Sequence, residues 1–448
     1  MPILKPDELS SYSIPPKSKD RLRVAISHEF VELYRGDKDL RIGKYLCNEY
    51  DCEVVQLGTD IASPSDSRFF DTRSYPADRV GELPERYYLL LMKSKLIYHR
   101  KGNVGMGGFF RITPGIIKYL LAWKPDIILE NPYLTLSPRS FMTYVAARML
   151  GIPIVYMDSG DIVYNTGLKN KLVLPFEKSV VKRAGAVITY NNEGRKRFIK
   201  KYGYPSEKIY VIPKPMDTDR FGPHVDSGDF RQRYSLGDKF TVAYFGRLCT
   251  NKGARYLLYA ADILRQKGLL DNINVLFVGD NVEANQTSEF SKHLNKLNLK
   301  NVTLTGMIKP DEMPQAYASV DLAVFPDVSN PPGFSTVLAE SMASGLPIII
   351  GNKGWEQATP IVDHENGLII NPGDPGQIAS SIELLMGNHE LRRKISSNAL
   401  KYAREQMDYS RITAKYYAIM ENVLAGRNAK SIESNLKHVK RESEKTTV

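Results

Sequence analysis

The residues best suited to chemistry lie between Phe325 and Ile350, where a short apolar run meets a loop of proline and glycine. A helix is predicted to begin near Ser335 or Thr336 and to end at Gly345, since Ser or Thr caps helix starts and Gly follows helix ends. N–H groups at a helix start have no partner within the helix, and they favour an anion such as a nucleotide phosphate. An ordinary α/β connection has the same composition, so both interpretations stay open here.

Two cations stand in another loop of the same half of the chain. Gly246, Arg247 and Lys252 follow the apolar run Phe240 to Phe245. Guanidinium and ammonium groups at such a loop, with an open helix start across the same sheet, favour a pyrophosphate site. Glu340, one turn inside the helix, is then placed to accept hydrogen bonds from sugar hydroxyls. Taken alone, the two cations would be ordinary solvated side chains, and their combination with the helix start favours a function.

The elements that must position these residues alternate strictly between strand and helix. Their strands are unbroken apolar runs, which is typical of parallel sheets covered by helices on both faces. The predicted strands are Leu22–Ser27, Glu53–Leu57, Ile127–Glu130, Ile154–Met157, Ala186–Tyr190, Ile209–Ile212, Phe240–Phe245, Asn274–Val278, Val302–Thr305, Leu322–Phe325, the run after Pro347, and Gly367–Ile370.

The alternation breaks at PKPMDTDRFGPHVDSGD, residues 213 to 229, which is rich in Pro, Gly and Asp and predicts a domain boundary. We therefore predict an α/β protein with two doubly wound domains that face each other across a cleft, with ligands at the carboxyl ends of the strands. The predicted divisions are a disordered segment over 1–20, a first domain over 21–213, a linker over 214–229, a second domain over 230–408, a helix over 409–425 that packs back toward the first domain, and a disordered tail over 426–448.

Composition fits this organisation. The length of 448 residues exceeds the usual size of one core, and 42% apolar with 25% charged residues is ordinary for a soluble globular protein. The chain contains no long apolar run and its start has no apolar signal core, so we expect a cytoplasmic protein without a transmembrane helix. Three scattered cysteines give no metal spacing, and we expect neither a metal nor a cofactor.

The net charge of +11 is concentrated in the first half of the chain. Residues 1–213 carry 33 basic and 23 acidic residues, a balance of +10, and the remainder carries 28 and 27, a balance of +1. Within the first half, Lys169 to Lys208 holds 11 basic residues and three acidic ones. This stretch is either a solvated face or a surface that meets anionic lipid or a phosphorylated acceptor.

Longer stretches of the chain match the patterns of one family. In the second half they are FGRLCTNKG, VLFVGD, NVTLTGMIKPDEMPQAYASVDLAVFPD, GFSTVLAESMASGLPII and HENGLIINPGDP; in the first half the looser ones are WKPDIILENP, GIPIVYMDSGD, AGAVITYNNEGRKRFIKKYG and KIYVIPKPMDTDRF. Together these stretches resemble the GT-B-fold retaining glycosyltransferases of family 4, also called glycosyl transferases group 1. The resemblance covers about residues 21–425.

The resemblance implies a role for each matching residue. Arg247 and Lys252 match the pair that holds the nucleotide diphosphate and neutralises it as it leaves. Glu340 matches the second glutamate of a two-glutamate signature, which binds the ribose. Gly306 falls where the nucleobase is packed, and Gly246 lies in the donor loop. The loop whose backbone amides approach the phosphate and the donor sugar matches Gly333, Phe334, Ser335 and Thr336.

Several positions depart from the family pattern. Pro332 stands where the first signature glutamate is expected, and Ser335 replaces the second glycine of the loop. The usual asparagine-glycine before the linker is Lys214-Pro215. A histidine common after a late strand of the first domain is absent, and Asp158 and Asp161 lie in that region. These two aspartates are predicted either to contact acceptor or sugar, or to cap the segment that follows.

The resemblance implies a retaining transfer of sugar from a nucleotide-diphosphate donor to a glycan or lipid-linked acceptor, as in polysaccharide, glycolipid or glycoprotein glycan synthesis. The cations hold the departing phosphate, whose oxygen accepts the proton of the acceptor, and no protein nucleophile is needed. The first domain binds the acceptor in this pattern. Its basic stretch, Lys169 to Lys208, therefore favours a peripheral position on the anionic inner face of a membrane.

Two other classes of function stay open. A GT-B-fold epimerase would carry acid/base carboxylates and histidines in the cleft, and a pyridoxal-type phosphorylase would need a cofactor lysine. The sequence pI of about 9.2 also fits a non-catalytic nucleic-acid-binding protein. No nucleic-acid-binding module is recognisable in the sequence, and such a protein would have no use for Arg247, Lys252 and Glu340 together. We therefore expect no nucleic-acid partner.

Overall fold

The computed structural model describes residues 3–4, 17–18, 20–28, 38–59, 83–93, 95–99, 109–131, 138–158, 168–280, 284–329 and 334–426. The chain divides into two compact units. The first unit is Met1–Ile212 together with Tyr409–Val448, and the second unit is Pro213–Asp408. No helix within the described ranges combines the length and the apolar character needed to span a membrane.

The first unit is built on a parallel sheet whose strands follow the order β1-β4-β3-β2-β7-β8-β9-β10. Its strands are β1 (Ile3–Leu4), β2 (Arg23–His28), β3 (Glu53–Thr59), β4 (Tyr87–Met92), β7 (Ile127–Asn131), β8 (Ile154–Asp158), β9 (Ala186–Thr189) and β10 (Ile209–Val211), with β5 (Lys95–His99) and β6 (Phe109–Ile112) forming a separate antiparallel pair. Its helices are α1 (Lys38–Tyr50), α2 (Gly115–Trp123), α3 (Pro138–Leu150), α4 (Leu168–Val181), α5 (Asn192–Arg197), which continues as a π-helical turn over Phe198–Tyr202, and α13 (Tyr409–Leu424).

Each face of this sheet carries its own apolar core, as expected for strands that are buried on both sides. Side chains from α2, α3 and α4 cover one face, and side chains from α1 and α13 cover the other. The parallel, doubly wound architecture predicted for this half is confirmed. Strand β4, with the sequence YYLLLM, and the hairpin β5–β6 were not among the predicted strands, and the antiparallel pair departs from the strict strand–helix alternation.

The second unit contains a six-stranded parallel sheet of order β13-β12-β11-β14-β15-β16. Its strands are β11 (Phe240–Phe245), β12 (Ile273–Val278), β13 (Val302–Gly306), β14 (Leu322–Phe325), β15 (Ile348–Gly351) and β16 (Leu368–Ile370). Its helices are α6 (Phe230–Arg233), α7 (Ala254–Gln266), α8 (Ala284–Leu297), α9 (Met313–Ala318), α10 (Thr336–Ala343), α11 (Pro375–Gly387) and α12 (His389–Tyr402), the last of which continues as a π-helical turn over Ala403–Met407.

The strand order locates the ligand crevice of the second unit. From β11 the chain moves outward through β12 and β13, and then returns to place β14 on the other side of β11. The carboxyl ends of β11 and β14 therefore form the point where the winding direction reverses, and open α/β sheets bind their ligands at such a point. The first unit has the corresponding reversal between β2 and β7.

The structure differs from the predicted divisions over residues 214–229 and at Ile3–Leu4. Residues 214–229 belong to the second unit instead of forming a linker, because Met216 and Phe221 are buried in its core. The helix predicted to pack back toward the first domain, α13, is part of the first unit, where Tyr417 stacks on Tyr50 with ring centroids 4.2 Å apart. Within the segment expected to be disordered, Ile3–Leu4 pairs with β4.

Candidate functional site at the carboxyl edge of the second sheet

Three neighbouring strands of the second sheet end in glycine. Gly246, Gly279 and Gly306 follow or close β11, β12 and β13, and their φ angles are +138°, +133° and +68°. A Cβ atom on Gly279 would clash with the carbonyl oxygen of Gly246, so that position tolerates only glycine. The edge is thus lined by backbone. Gly246 and Gly306 were predicted site residues, whereas Gly279 was missed although its stretch, VLFVGD, was singled out.

Arg247 is presented to solvent by an anchored backbone. Its carbonyl oxygen accepts hydrogen bonds from the Tyr244 hydroxyl at 2.6 Å and from the Cys249 N–H at 2.9 Å. Burial raises the pKa of Tyr244 well above its usual value, so its hydroxyl stays protonated as a donor. The Arg247 side chain is exposed, and no carboxylate of the described residues forms an ion pair with it. A guanidinium in this state is available for an anion.

Lys252 is held by a carboxylate from the neighbouring strand end. Its Nζ lies 2.6 Å from Oδ2 of Asp327, which follows β14, and the side chains are 26% and 11% exposed. The loops are also held together by backbone, since the Val328 N–H donates to the Asn251 carbonyl at 3.0 Å. Gly253 has φ +71°, and a Cβ there would clash with the carbonyl oxygen of Pro326. Lys252 thus lies at the reversal point of the sheet.

Asp327 was not among the predicted site residues. It is 75 positions away from Lys252, and their contact depends on β11 and β14 being neighbours. The available signal was its place directly after an apolar strand, since strand ends of a parallel sheet meet at one edge.

The helix α10 begins where the sequence predicts. Ser335 is its N-cap, and its hydroxyl accepts a hydrogen bond from the Leu338 N–H at 3.3 Å. Gly345 follows the helix end with φ +70°. Phe334 is buried in the core, so its backbone alone is left for a ligand, while Thr336 is exposed. The first-turn N–H groups of this helix therefore open at the carboxyl edge beside β14.

Glu340 is oriented by a buried tyrosine. The Tyr317 hydroxyl donates to Oε2 of Glu340 at 2.8 Å, and the Tyr317 ring stacks on Phe245 with centroids 4.1 Å apart. Burial, and then the Glu340 charge, raise the pKa of Tyr317 well above its usual value. The hydroxyl is therefore a permanent donor to the carboxylate. Tyr317 was not predicted, because the sequence of its six-residue helix does not indicate which carboxylate the tyrosine hydroxyl contacts.

The residues next to the predicted donor positions differ in exposure. Met307, after Gly306, is 61% exposed, and Ile308 packs against the core. Gly333 and Pro332 lie outside the described residues. The structure therefore brings Gly246, Arg247, Lys252, Gly306 and the α10 start to strand ends of a single sheet.

In the first unit, the side chain of Asp158 is engaged within the fold. Its Oδ2 forms an ion pair with Arg197 and accepts a hydrogen bond from the Thr189 hydroxyl at 3.2 Å. Both partners of the ion pair are mostly buried, at 13% and 12% exposure. Asp158 therefore ties α5 to β8, and its contact with acceptor or sugar stays a prediction. Asp161 lies outside the described residues.

The reversal point of the first sheet holds a buried polar cluster that was not predicted. The fully buried Asp39 lies 3.2 Å from His28 Nδ1 and accepts a hydrogen bond from Asn131 Nδ2 at 3.0 Å. Nearby, Lys38 donates to the Tyr190 hydroxyl at 2.6 Å. His28 thus contacts a buried carboxylate at a strand end.

Comparison with known proteins assigns the family. The family model described as "Glycosyl transferases group 1" matches residues 226–402, and the model described as "Glycosyltransferase Family 4" matches residues 75–220. The chain belongs to the group 1 glycosyl transferases. The family resemblance drawn from the sequence is confirmed.

Relatives of this group 1 chain act with different sugars. A GDP-mannose-dependent alpha-(1-6)-phosphatidylinositol monomannoside mannosyltransferase of Mycobacterium tuberculosis is 26% identical over 256 residues, which cover 54% of this chain and 64% of the relative. The sulfoquinovosyl transferase SQD2 of Arabidopsis thaliana is 26% identical over 68% of this chain and 58% of its own length. The match thus spans about two thirds or less of these relatives.

Solved structures agree with the fold. Anabaena Alr3699/HepE, crystallised with UDP and with UDP-glucose, superposes with TM-scores of 0.68 and 0.67 at 17% and 18% identity, over 90% of this chain and 100% of that one. The sucrose-phosphate synthase of Thermosynechococcus elongatus reaches 0.66 at 16% identity, over 91% and 100% of the chains. The GT-B fold class predicted from sequence is confirmed.

Proposed function

We propose that this chain is a retaining glycosyltransferase that moves a sugar from a nucleotide-diphosphate donor to a glycan or lipid-linked acceptor, in the synthesis of a polysaccharide, glycolipid or glycoprotein glycan. One observation carries the proposal. Two cations, Arg247 and Lys252, stand at the reversal point of the second sheet, and the open start of α10 follows the adjacent strand. All three favour a diphosphate group.

The chemistry follows from charge. As the bond between the anomeric carbon and the donor phosphate breaks, negative charge grows on the leaving diphosphate. Arg247, anchored through its carbonyl, and Lys252, held by Asp327, stabilise that charge from fixed positions. A phosphate oxygen takes the proton of the attacking hydroxyl, which approaches the anomeric carbon from the face that the diphosphate leaves. The anomeric configuration is therefore retained. The two cations supply the countercharge, and the reaction as proposed needs no cofactor or metal.

The nucleoside is assigned to the neighbouring groups. Glu340, oriented by Tyr317, accepts hydrogen bonds from the ribose, and the bare glycine edge with Met307 packs the nucleobase. Relatives named for GDP-mannose and a structure solved with UDP-glucose support a nucleotide-sugar donor. Pro332 carries no carboxylate, so contacts to the sugar hydroxyls fall to other groups of the site.

For the acceptor side, we propose peripheral association with the anionic inner face of a membrane through the surface formed by α4, α5 and its π-helical turn. Lys201 joins these elements through an ion pair with Glu177 at 2.9 Å. Lys178, Lys182 and Lys200 form no ion pair with the described residues. Phe176 is 65% exposed on the same helix pair. Cations around an exposed aromatic side chain favour an anionic bilayer surface.

Three apolar residues that alternate with these cations in the sequence lie in the core and not on this surface. Val180, Phe198 and Tyr202 are 4% or less exposed and pack beneath the helices. The apolar contribution to membrane contact therefore falls to Phe176, and the proposal depends mainly on charge.

The proposed activity is tested by screening nucleotide sugars in a thermal-shift assay and then measuring hydrolysis of those that stabilise the protein. We expect at least one UDP- or GDP-sugar to raise the melting temperature and to be hydrolysed slowly. With an acceptor mimic, proton NMR of the first product should show the anomeric configuration of the donor. An inverted product would overturn retention, and the absence of any binding nucleotide sugar would overturn the proposed function.

A further inference from the structure

We infer that Asp327 is a positioning residue for sugar transfer, which acts by tethering the Lys252 ammonium beside the leaving diphosphate. The inference rests on the proposed function, because it assigns the second partner of a cation that the reaction uses. Asp327 places a negative charge beside the proposed binding site of an anion, where a carboxylate would be expected to weaken binding.

The tether is built from both oxygens of the carboxylate. Oδ2 accepts from Lys252 Nζ at 2.6 Å, and Oδ1 accepts from the Ser329 N–H at 2.7 Å. Asp327 is 8% exposed, so water does not replace either contact easily. The Ser329 N–H fixes the carboxylate, and the carboxylate in turn fixes the end of a flexible four-carbon side chain. The ammonium is thereby preorganised before any ligand arrives.

The loops on both sides allow little movement. The Val328 N–H donates to the Asn251 carbonyl at 3.0 Å, and the Ser329 hydroxyl donates to the same carbonyl at 3.3 Å. Gly253 sits against the Pro326 carbonyl in a backbone conformation that a side chain would block. Lys252 and Asp327 are therefore fixed on facing loops at the point where β11 and β14 end.

Asp327 does not consume the donor capacity of Lys252. An ammonium group has three N–H donors, and the carboxylate takes one of them. The lysine side chain remains 26% exposed, which leaves the other donors accessible to phosphate oxygens. A bound diphosphate would thus share Lys252 with Asp327 instead of displacing it.

This geometry makes the tether act on turnover more than on binding. A fixed ammonium is most valuable when charge develops on the leaving group, because it needs no reorganisation at that moment. In the ground state the Asp327 charge repels the diphosphate across a short distance and weakens its binding. Loss of the charge should therefore lower kcat while the affinity for a nucleoside diphosphate is unchanged or increased.

The test compares Asp327→Asn with the wild type, in backgrounds that carry Lys252 or Lys252→Ala. Asparagine keeps the shape and the acceptor for Ser329 but removes the charge. The matched control is Glu383→Gln, which breaks a lysine–carboxylate pair of similar length, 2.7 Å to Lys267, at an exposed position on α11. Affinity is measured by calorimetry with UDP and with GDP. Turnover is measured by the release of UDP or GDP from the corresponding nucleotide sugars.

We expect Asp327→Asn to lower kcat about tenfold with Lys252 present and less than about twofold in the Lys252→Ala background, because the tether acts through that lysine. Affinity for the diphosphate should not fall, and Glu383→Gln should match the wild type. Equal losses of kcat in both backgrounds, a parallel loss of affinity and turnover, or no loss at all would overturn the inference. A wild-type protein that neither binds nor hydrolyses any donor would instead overturn the proposed function.

Discussion

Both parallel sheets of this chain reverse their winding direction at equivalent strands, but the charged side chains at the two reversal points differ in exposure and pairing. At the reversal point of the second sheet, Arg247 is exposed and Lys252 keeps part of its surface open to solvent. At the reversal point of the first sheet, Asp39 is fully buried and contacts His28 and Asn131. The second unit thus keeps its cations accessible at this edge, whereas Asp39 and its partners at the edge of the first sheet are paired within the fold.

This difference separates two uses of the same architecture. A group that is to bind an anion must stay accessible and lightly paired, so it contributes little to the stability of the fold. A group that is already paired, such as Asp158 with Arg197, contributes rigidity. Perturbing the two edges should therefore give opposite signatures, a loss of turnover on one side and a loss of stability on the other.

The largest expected effect is that of Arg247→Ala. Removing one preorganised donor to a developing oxyanion typically costs about 10²- to 10³-fold in kcat. We expect that loss in nucleotide-sugar turnover, with a melting temperature close to that of the wild type because the side chain is exposed. Arg393→Ala, at an exposed arginine on α12 of the same unit, is the control. A purified Arg247→Ala variant with full turnover would remove the residue from the catalytic machinery.

Gly253→Ala tests whether the loop that carries Lys252 must lie against β14. The added Cβ meets the Pro326 carbonyl at a φ of +71°, and such strain costs about 1–3 kcal/mol. We expect a lower free energy of unfolding in urea and a lower kcat together. Gly237→Ala is the control, because that glycine has a similar φ of +52° but open space around its Cβ. Equal turnover in the two variants would show that the close approach is dispensable.

Asp158→Asn probes the paired edge of the first unit. The change removes the charge that binds the mostly buried Arg197, and hydrogen bonds to charged groups contribute about 1.5–3 kcal/mol. We expect the free energy of unfolding to fall by about that amount while hydrolysis of the donor stays within about twofold. A normal stability combined with a large loss of transfer would instead place Asp158 at the acceptor or sugar.

Tyr317→Phe should give a smaller and more specific effect. The change removes the hydroxyl that orients Glu340, a hydrogen bond with a net worth of about 0.5–1.5 kcal/mol. We expect the KM for the donor to rise about three- to tenfold with little change in kcat, since the ribose contact is made equally before and during the reaction. A fall in kcat at constant KM would contradict this assignment of Glu340 to the nucleoside.

Membrane binding, rather than turnover, is the quantity that tests the basic surface of α4. Each lysine near an anionic bilayer contributes about 1 kcal/mol, so Lys178→Ala combined with Lys182→Ala should reduce flotation with phosphatidylglycerol vesicles by roughly 30-fold in partition coefficient. Binding should also weaken with salt. The control changes Lys267 and Lys394, two exposed lysines of the second unit, to alanine. Equal flotation of both double variants would remove this surface from membrane binding.

The sequence predicted the parts of the site that depend on local rules. The bounds of β11 and β14, and the cap at Ser335, agree with the structure because apolar runs and capping residues act over a few positions. The contacts that tune the site were not predictable in this way. Asp327 with Lys252, and Tyr317 with Glu340, join residues 75 and 23 positions apart, and they depend on which elements become neighbours.

The basic helices show the limit of periodicity. Phe176, Val180, Phe198 and Tyr202 alternate with cations, and that pattern fits a membrane-facing helix and a helix on a sheet equally well. Packing decides between them. Three of the four side chains are buried against the first sheet, and Phe176 alone is exposed. Amphipathic spacing therefore shows which face of a helix is apolar, but it does not show whether the protein core or a membrane covers that face.

Calorimetry with nucleoside mono- and diphosphates tests most directly whether Arg247 and Lys252 bind the diphosphate of the donor. The wild type should bind UDP or GDP at least about tenfold more tightly than the matching monophosphate, because the second phosphate meets both cations. In the Arg247→Ala, Lys252→Ala double variant this preference should fall to about one while the monophosphate affinity changes little. An undiminished preference for the diphosphate in the double variant would contradict the account.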